Sequence, residues 1–211
     1  MTQPFLLTER PSVYLASKSP RRQALLRQIG VEFEELLLRE AAGRRRDVLE
    51  VPRKDESPLD YVKRIARTKA AVGWHRMGRR GLPPKPVLAA DTEVVVDGDV
   101  LGKPEDAASA TQMLKRLSGR SHEVITAVAV RWDAQIVQAV ARSQVTFRVL
   151  AGDEITRYVA TGEPFDKAGG YAVQGRAAIF IRRIEGSYSG VMGLPLYETA
   201  EILSKIGHHV I

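Results

Sequence analysis

The stretch "VYLASKSPRRQALL" (residues 13–26) predicts a buried strand that runs through a short loop into a helix. Residues 13–16 are apolar, and Ser19–Pro20 combines a favoured N-cap residue with a proline suited to the first helical position. Arg21 and Arg22 therefore fall in the first turn, where the helix dipole and the unpaired N–H groups repel cations unless an anion lies between them. The stretch predicts an anion-binding site where the strand meets the helix.

Length and composition indicate a packed domain. The chain has 211 residues, of which 44% are hydrophobic and 27% charged, and we expect one domain over residues 1–211. Cysteine is absent and the four histidines, His75, His122, His208 and His209, lack zinc-ligand spacing, which excludes a disulfide framework and thiolate chemistry. With neither a signal-peptide pattern nor an apolar run of about 20 residues, we expect a soluble cytoplasmic protein that makes no membrane contact.

The charge balance favours an anionic partner. The net charge is +7 and the pI is about 9.8, values that suit nucleic acid, a membrane surface or a phosphorylated small molecule. Much of the excess lies in "RRR" (44–46), "RK" (53–54) and "RMGRRG" (76–81), which lack interleaved aromatic residues. We interpret these runs as solvated loop surface, so nucleic acid is not expected as a partner.

The order of the predicted elements indicates an α/β domain with a mixed, curved β-sheet flanked by helices. Strands are predicted in "FEELLL" (33–38), "VLAAD" (87–91), "EVITAVAV" (123–130) and "SQVTFRVL" (143–150), with a hairpin turn at 97–98. Helices are predicted from Pro20 to Gly30, from Pro58, over 107–117, near 153–160 and over 195–206. The stretch 73–86, rich in glycine, proline and arginine, is predicted to be a linker-like loop.

One lysine lies on the apolar face of the helix predicted to begin at Pro58. At about 100° per residue, the residues on the arc of Lys69 are apolar: Tyr61, Val62, Ile65, Ala66 and Val72. Two interpretations stay open. Either the lysine snorkels at the edge of the core, or its ammonium reaches into an anion site.

A carboxylate follows the apolar run "PVLAA" (86–90). Asp91, buried at a strand end, costs free energy unless it meets a cation, a metal or hydrogen-bond donors. It either caps a turn or belongs to a site where loops converge on a ligand. In "LGKP" (101–104), Gly102 permits close backbone approach and leaves Lys103 displayed.

The segment "DKAGGYAVQG" (166–175) combines two adjacent glycines, a predicted short strand over 171–173 and a glutamine beside a third glycine. The glycines favour turns. Gln174 either satisfies buried backbone groups or reads a nucleobase edge, because an amide presents a donor and an acceptor side by side.

Five segments together resemble the Maf family of nucleoside triphosphate pyrophosphatases over nearly the whole chain. They are, in the family's order, "LASKSPRR" (15–22), "ADT" (90–92), "GKP" (102–104), "DKAGGYAVQG" (166–175) and "VMGLPL" (191–196). Each is weak alone, whereas five in order are specific. The form of the fourth segment that contains glutamine is similar to the branch that acts on dTTP and UTP. The resemblance implies the mixed-sheet fold shared by Maf and ITPase proteins.

The resemblance also implies roles for particular residues. Asp91 matches the general base and a metal neighbour. Phosphate-binding positions match Ser17, Arg21, Arg22, Lys69 and Lys103, and positions tied to substrate choice match Arg21, Thr92 and Gln174. A divalent cation, magnesium or manganese, a homodimer, a cytoplasmic location and a role in clearing the nucleotide pool are implied in the same way.

One departure from the family concerns a second metal ligand. The family carries an acidic residue after the second strand, and this chain has "LLLREAAGRRRD" (36–47) there. Glu40 is the nearest candidate metal ligand beside Asp91, and Asp47 is the alternative.

The expected reaction is hydrolysis of dTTP or UTP between the α- and β-phosphates, which yields the monophosphate and pyrophosphate. The rival hypothesis is a non-enzymatic regulator of septum formation that binds nucleotide or nucleic acid through its basic surface. The rival needs the cationic loops but not a base at Asp91.

Overall fold

The computed structural model describes residues 11–39 and 47–210, which form an α/β domain with helices on both faces of a mixed seven-stranded sheet, as predicted. The strands are β1 (Ser12–Leu15), β2 (Glu32–Glu35), β3 (Val87–Val96), β4 (Asp99–Leu101), β5 (Ser121–Trp132), β6 (Gln135–Phe147) and β7 (Ile181–Glu185). The helices are α1 (Pro20–Gln28), α2 (Pro58–Arg79), α3 (Ala107–Leu117), α4 (Gly152–Ala160), α5 (Tyr188–Met192) and α6 (Leu196–Ser204). Short 3₁₀ helices cover Glu163–Asp166, Ala168–Gly170 and Arg176–Phe180.

The strand order is β2-β1-β3-β5-β6-β7, and β4 adds to β3 on the edge that β1 also uses. β1 is parallel to β2 and β3, and the remaining pairs are antiparallel. Along β3, the pairing with β1 ends at Leu88 and the pairing with β4 begins at Val94. No described strand covers residues 89–93 on that edge, so the sheet splits there.

The alternation of side chains along the central strands divides the core between the two faces. Val87 and Ala89 of β3 pack against α2, whereas Leu88 and Ala90 pack against α1 and α6 on the other face. Because successive residues of a strand point to opposite faces, Asp91 continues the α2 series and Thr92 continues the α1 series.

Local sequence signals act as predicted at several boundaries. The Ser19 hydroxyl caps α1, which is followed by Gly30 in the left-handed conformation, and the Ser57 hydroxyl caps α2. Asp97 and Gly98 form the β3–β4 turn with φ values of 55° and 84°, the two positive angles that a type I′ hairpin turn requires.

Two local predictions were wrong. The stretch 73–86 is not a loop throughout, because α2 continues to Arg79 and includes Gly73. A Cβ atom at Gly73 would lie 2.7 Å from Val87 Cγ1, so this glycine marks close packing of the helix on the sheet and not a break. Residues 171–173 form no strand; they lie in a turn between two 3₁₀ segments, since Gly169 and Gly170 adopt positive φ.

The three basic runs that were predicted to be loops differ in the structure. Residues 44–46 lie outside the described residues. Arg53 and Lys54 lie in an exposed loop, as predicted, whereas residues 76–79 are helical. Within the described ranges, no helix is long and apolar enough to cross a membrane.

A buried histidine lies beneath the segment that follows the glycine pair. His122 of β5 is 3% exposed, its Nε2 lies 2.7 Å from the Tyr171 hydroxyl, and its ring makes an edge contact with Phe147. Burial lowers the pKa of His122 from 6.5 to about 4. Because the unfolded chain takes up the proton first, the contribution of neutral His122 to stability is full above pH 6.5 and is lost as the pH falls towards 4.

We expect wild-type protein to lose about 2 kcal/mol more unfolding free energy between pH 7 and pH 5 than His122→Gln, which cannot titrate. Denaturant unfolding at both pH values measures the difference. His75→Gln, at an exposed histidine of α2, is the control and is expected to keep the wild-type pH dependence. If the stabilities of wild type and His122→Gln change with pH in parallel, burial does not lower the pKa of His122 in the folded state.

Candidate active site

A cleft of about 730 Å³ opens where the sheet splits. Its walls come from the β1–α1 loop and the first turn of α1, the described part of the β2–α2 connection, α2, β3, the loop after β4, residues 166–173 and the end of α5. Seven of the predicted site residues line it: Ser17, Arg21, Arg22, Lys69, Asp91, Thr92 and Lys103. Residues from distant parts of the sequence thus converge on one cavity, and the predicted anion site at the start of α1 is part of it.

The Lys69 ammonium lies between two carboxylates. Its Nζ is 2.8 Å from Asp91 Oδ1 and 2.9 Å from Glu50 Oε1. Burial alone lowers the pKa of Lys69, but the two carboxylates outweigh burial and raise it, so the lysine stays charged. Of the two interpretations of Lys69, the structure supports the one in which the ammonium enters the site.

Asp91 is 5% exposed and lies inside β3, which continues to Val96, so the interpretations that placed it at a strand end or as a turn cap were wrong. Its Oδ2 and the Oε2 of Glu93 are buried without a hydrogen-bond partner in the described structure. Burial raises the pKa of Asp91, although Lys69 and Arg22 act in the opposite direction. Burial raises the pKa of Glu93 to about 8, and the Asp91 charge adds to this shift.

The guanidinium of Arg22, the second arginine of α1, is held by three hydrogen bonds within the protein. Arg22 Nε donates to the Gly193 carbonyl (2.8 Å), Nη1 donates to Ser17 Oγ (3.3 Å) and Nη2 donates to Thr92 Oγ1 (3.3 Å). Thr92 Oγ1 also lies 3.0 Å from Thr126 Oγ1. Strand β3 therefore presents Asp91 to α2 and Thr92 to α1.

Arg21 differs from its neighbour. It lines the cleft, and its guanidinium makes no hydrogen bond or ion pair with any residue in the described ranges. Burial raises the pKa of Asp166 across the cleft, but the bound Lys167 ammonium outweighs burial and lowers it, and the Arg21 charge adds to this lowering. Lys103, on the loop after β4, is exposed and lines the cleft as well. These two cations are available to an incoming anion.

Gln174 lies beside the cleft wall and not in it. Tyr171, Ala172 and Val173 line the cavity, whereas the Gln174 side chain is exposed. Within the described part of the chain it makes no hydrogen bond, which rules out the interpretation that it satisfies buried backbone groups. Its amide is uncommitted.

The acidic residue expected after the second strand has three candidates. Glu40 lies outside the described residues. Asp47 does not line the cleft and pairs with Arg39 and Arg76. Glu50, which the sequence analysis missed, lines the cleft and contacts Lys69, and the Lys69 ammonium outweighs burial to lower its pKa.

Glu93 was also missed. The signal for it was present in the sequence, because Glu93 lies two residues after Asp91 in the same strand and so shares its face. No helix or strand periodicity could identify Glu50, because this residue lies in an irregular segment before α2.

The fold and the cleft define an α/β protein in which a buried carboxylate is surrounded by cations suited to phosphate groups. The chain belongs to the Maf family, because residues 12–206 match the family model described as Maf-like protein. The match confirms the resemblance stated from the five sequence segments.

Three curated relatives are each named dTTP/UTP pyrophosphatase. The protein of Nitrosomonas europaea is 53% identical over 92% of this chain and 94% of its own length, and that of Nitrosospira multiformis is 56% identical over 92% and 93%. The protein of Cupriavidus metallidurans is 53% identical over 93% and 98%. Among solved structures, the Staphylococcus aureus Ham1 protein has a TM-score of 0.46 and 13% identity over 93% of this chain and 91% of that chain.

The two arginines predict opposite effects on stability without ligand. Arg22→Ala removes three hydrogen bonds from a half-buried group, so we expect a loss of about 1–3 kcal/mol in unfolding free energy. Arg21→Ala removes a cation that opposes the α1 dipole, so we expect no loss, or a gain of about 0.3 kcal/mol. Chemical denaturation of both variants and wild type measures the difference, and an equal loss in both would mean that Arg21 has a structural role.

Proposed function

We infer that this chain is a nucleoside triphosphate pyrophosphatase that hydrolyses dTTP and UTP to the monophosphate and pyrophosphate, as a nucleotide-pool house-cleaning enzyme. The single observation that carries the inference is the buried Asp91 in a cleft lined by cations: one of its oxygens binds Lys69, and the other has no hydrogen-bond partner among the described residues. The relatives named dTTP/UTP pyrophosphatase support it.

In the proposed reaction, water attacks the α-phosphorus in line with the leaving pyrophosphate. A bond forms between the water oxygen and the α-phosphorus, the bond from that phosphorus to the α–β bridging oxygen breaks, and Asp91 takes the proton of the water. Lys69 holds Asp91 in place through Oδ1 and leaves Oδ2 to act as the acceptor. Arg21, Arg22 and Lys103 offset charge on the phosphates, and Ser17 adds a hydroxyl beside Arg22.

The carboxylates of the cleft fit a divalent cation. In the described residues, no group of three or more His, Cys, Asp or Glu side chains is placed to hold a metal by itself. However, magnesium usually binds through one or two carboxylates and completes its shell with water and substrate phosphates. The Oε2 of Glu93, which has no hydrogen-bond partner among the described residues, and the Glu50 carboxylate on Lys69 would meet that need beside Asp91, whose Oδ2 is assigned to the water. Bound magnesium or manganese would polarise the phosphoryl oxygens, and Glu40 stays a predicted ligand.

The rival function, a non-enzymatic regulator of septum formation, is not favoured, because it gives no role to Asp91. The enzyme hypothesis includes a cytoplasmic location and a homodimer, and neither a membrane nor nucleic acid is among its expected partners. Pyrophosphate release from a panel of nucleotides, with and without divalent metal, separates the two hypotheses. Release from dTTP and UTP supports the enzyme, and its absence with every nucleotide and metal supports the regulator.

We expect Asp91→Asn to fold and bind nucleotide but to lose about 10²–10⁴-fold in kcat, because an amide cannot accept the proton of the water. Pyrophosphate release measures turnover, and isothermal titration with dTTP measures binding. Asp99→Asn, at an exposed aspartate of β4, is the matched control and is expected to keep wild-type turnover. Near wild-type turnover of Asp91→Asn at saturating metal would contradict the assignment.

Gln174 is proposed to read the base. A uracil or thymine ring presents the O4 acceptor beside the N3–H donor, and a glutamine amide matches both. The exposed, unbonded amide of Gln174 follows directly after the cleft-lining Val173, which supports this role. Thr92 and Arg21, the other residues proposed for substrate choice, line the cleft itself.

Gln174→Glu keeps the size and the acceptor but replaces the donor with a charge facing O4. We expect kcat/KM for dTTP and UTP to fall at least about tenfold, while poorly used purine triphosphates lose less. The measurement is kcat/KM for dTTP, UTP, CTP and GTP. Gln112→Glu, an exposed glutamine of α3, controls for the added charge. A fall by the same factor for all four nucleotides, or none, would show that Gln174 does not read the base.

A further inference from the structure

A carboxylate outside the cleft connects two of its wall segments. Glu163 is half-buried at the start of the 3₁₀ helix Glu163–Asp166. Its Oε1 accepts a hydrogen bond from the Tyr158 hydroxyl of α4 (3.1 Å), and its Oε2 accepts one from the Arg176 backbone N–H (3.0 Å). Lys167 Nζ donates to the Glu163 backbone carbonyl (2.7 Å), so both the side-chain carboxylate and the backbone of Glu163 are hydrogen-bonded.

Gly175 provides the space for this carboxylate. A Cβ atom at Gly175 would lie 2.0 Å from Glu163 Oε1 and 2.6 Å from its Cδ. The φ of Gly175 is −96°, which any residue adopts, so the backbone conformation does not require glycine here. The Glu163 carboxylate therefore lies directly against the backbone of the residue that follows Gln174.

The two segments joined by Glu163 both reach the cleft. Asp166 and Lys167, on the Glu163 side, line it, as do Ala172 and Val173 on the other side, whereas Glu163 itself does not. The turn is closed by the Gly175 N–H, which donates to the Ala172 carbonyl (3.1 Å). Since the Gln174 side chain has no hydrogen bond of its own among the described residues, the backbone of this turn alone sets the point from which that side chain extends.

We propose that Glu163 is a positioning residue for base choice, which holds residues 172–176 in place and through them the Gln174 amide. Glu163 touches no substrate. The proposal rests on the proposed function, in which Gln174 reads a uracil or thymine ring. It assigns Glu163 to discrimination between nucleotides and not to the phosphate chemistry at Asp91.

Glu163→Ala removes both acceptors and leaves Asp91, Lys69 and the arginines unchanged. The expected result is a fall of about three- to tenfold in the ratio of kcat/KM for dTTP to kcat/KM for CTP, through KM and with kcat nearly unchanged. Glu163→Gln is expected to keep most of the ratio, because its amide oxygen can accept from Arg176 and its NH₂ can donate to the Tyr158 oxygen. A fall by the same factor for both nucleotides would overturn the proposal.

A matched control separates positioning from general loss of structure. Glu154 is also a carboxylate bound to a backbone N–H, that of Ala151 (3.1 Å), and to a side chain, Arg148, but neither of these partners belongs to a segment that lines the cleft. Glu154→Ala is expected to lower the melting temperature and keep the dTTP/CTP ratio. If it lowers the ratio as much as Glu163→Ala does, the effect of Glu163 is structural and the proposal fails.

A double-mutant cycle with Gln174→Ala tests the route of the effect. If Glu163 acts through Gln174, Glu163→Ala causes no further change of the ratio in the Gln174→Ala background. Independent, multiplying effects overturn the proposal and leave base reading by Gln174 intact. No change of the ratio in Gln174→Ala alone overturns base reading and the proposal together, while absence of dTTP and UTP hydrolysis in wild type overturns the proposed function.

Gly175→Ala keeps the test decisive if Glu163→Ala does not fold. Its methyl group occupies the space of the Glu163 carboxylate and must displace either that group or the turn. We expect the same loss of the dTTP/CTP ratio, again with kcat nearly unchanged. A folded Gly175→Ala protein with the wild-type ratio would overturn the proposal.

Discussion

The site depends on the gap in the sheet between Leu88 and Val94 of β3. On one edge of this strand, β1 stops pairing before the gap and β4 starts after it, so the described strands leave residues 89–93 uncovered. A strand that is buried on both faces and paired on both edges offers no room for a ligand. The gap provides that room at the carboxyl end of β1, where α1 begins, and thereby brings a helix N-terminus and a buried strand together.

The ion pair between Lys69 and Asp91 gives this gap its chemistry. Burying a lysine and an aspartate costs desolvation free energy that their attraction repays only in part, so such a pair is weak evidence for stability. The apolar neighbours of Lys69 on α2 fix the helix against the sheet and leave the ammonium at the cleft. Pairing at Oδ1 orients the carboxylate, and Oδ2 has no hydrogen-bond partner among the described residues.

Because successive side chains of β3 point to opposite faces of the sheet, the polar residues of this strand divide between two helices. Asp91 and Glu93 face α2, where Asp91 pairs with Lys69, while Thr92 faces α1, where it accepts a hydrogen bond from Arg22. The helical face of Lys69, the cap of α1 and the Asp97–Gly98 turn were predictable because each depends on local spacing or backbone preference. The end of α2 was not predictable, because a glycine in a helical pattern also suggests a helix end. Only the close packing of Gly73 against Val87 of the sheet explains why the helix continues through it.

By itself, the sequence determined the mixed α/β order of elements, the family and seven residues that line the cleft, because helix and strand periodicities and short motifs are local properties. Only the tertiary structure decided that Asp91 lies inside a strand, that Glu50 reaches Lys69 and that Glu163 binds the turn after Gln174. These contacts join segments without a shared period, so no spacing in the chain encodes them. They follow from where the sheet splits and from how the loops pack around the gap.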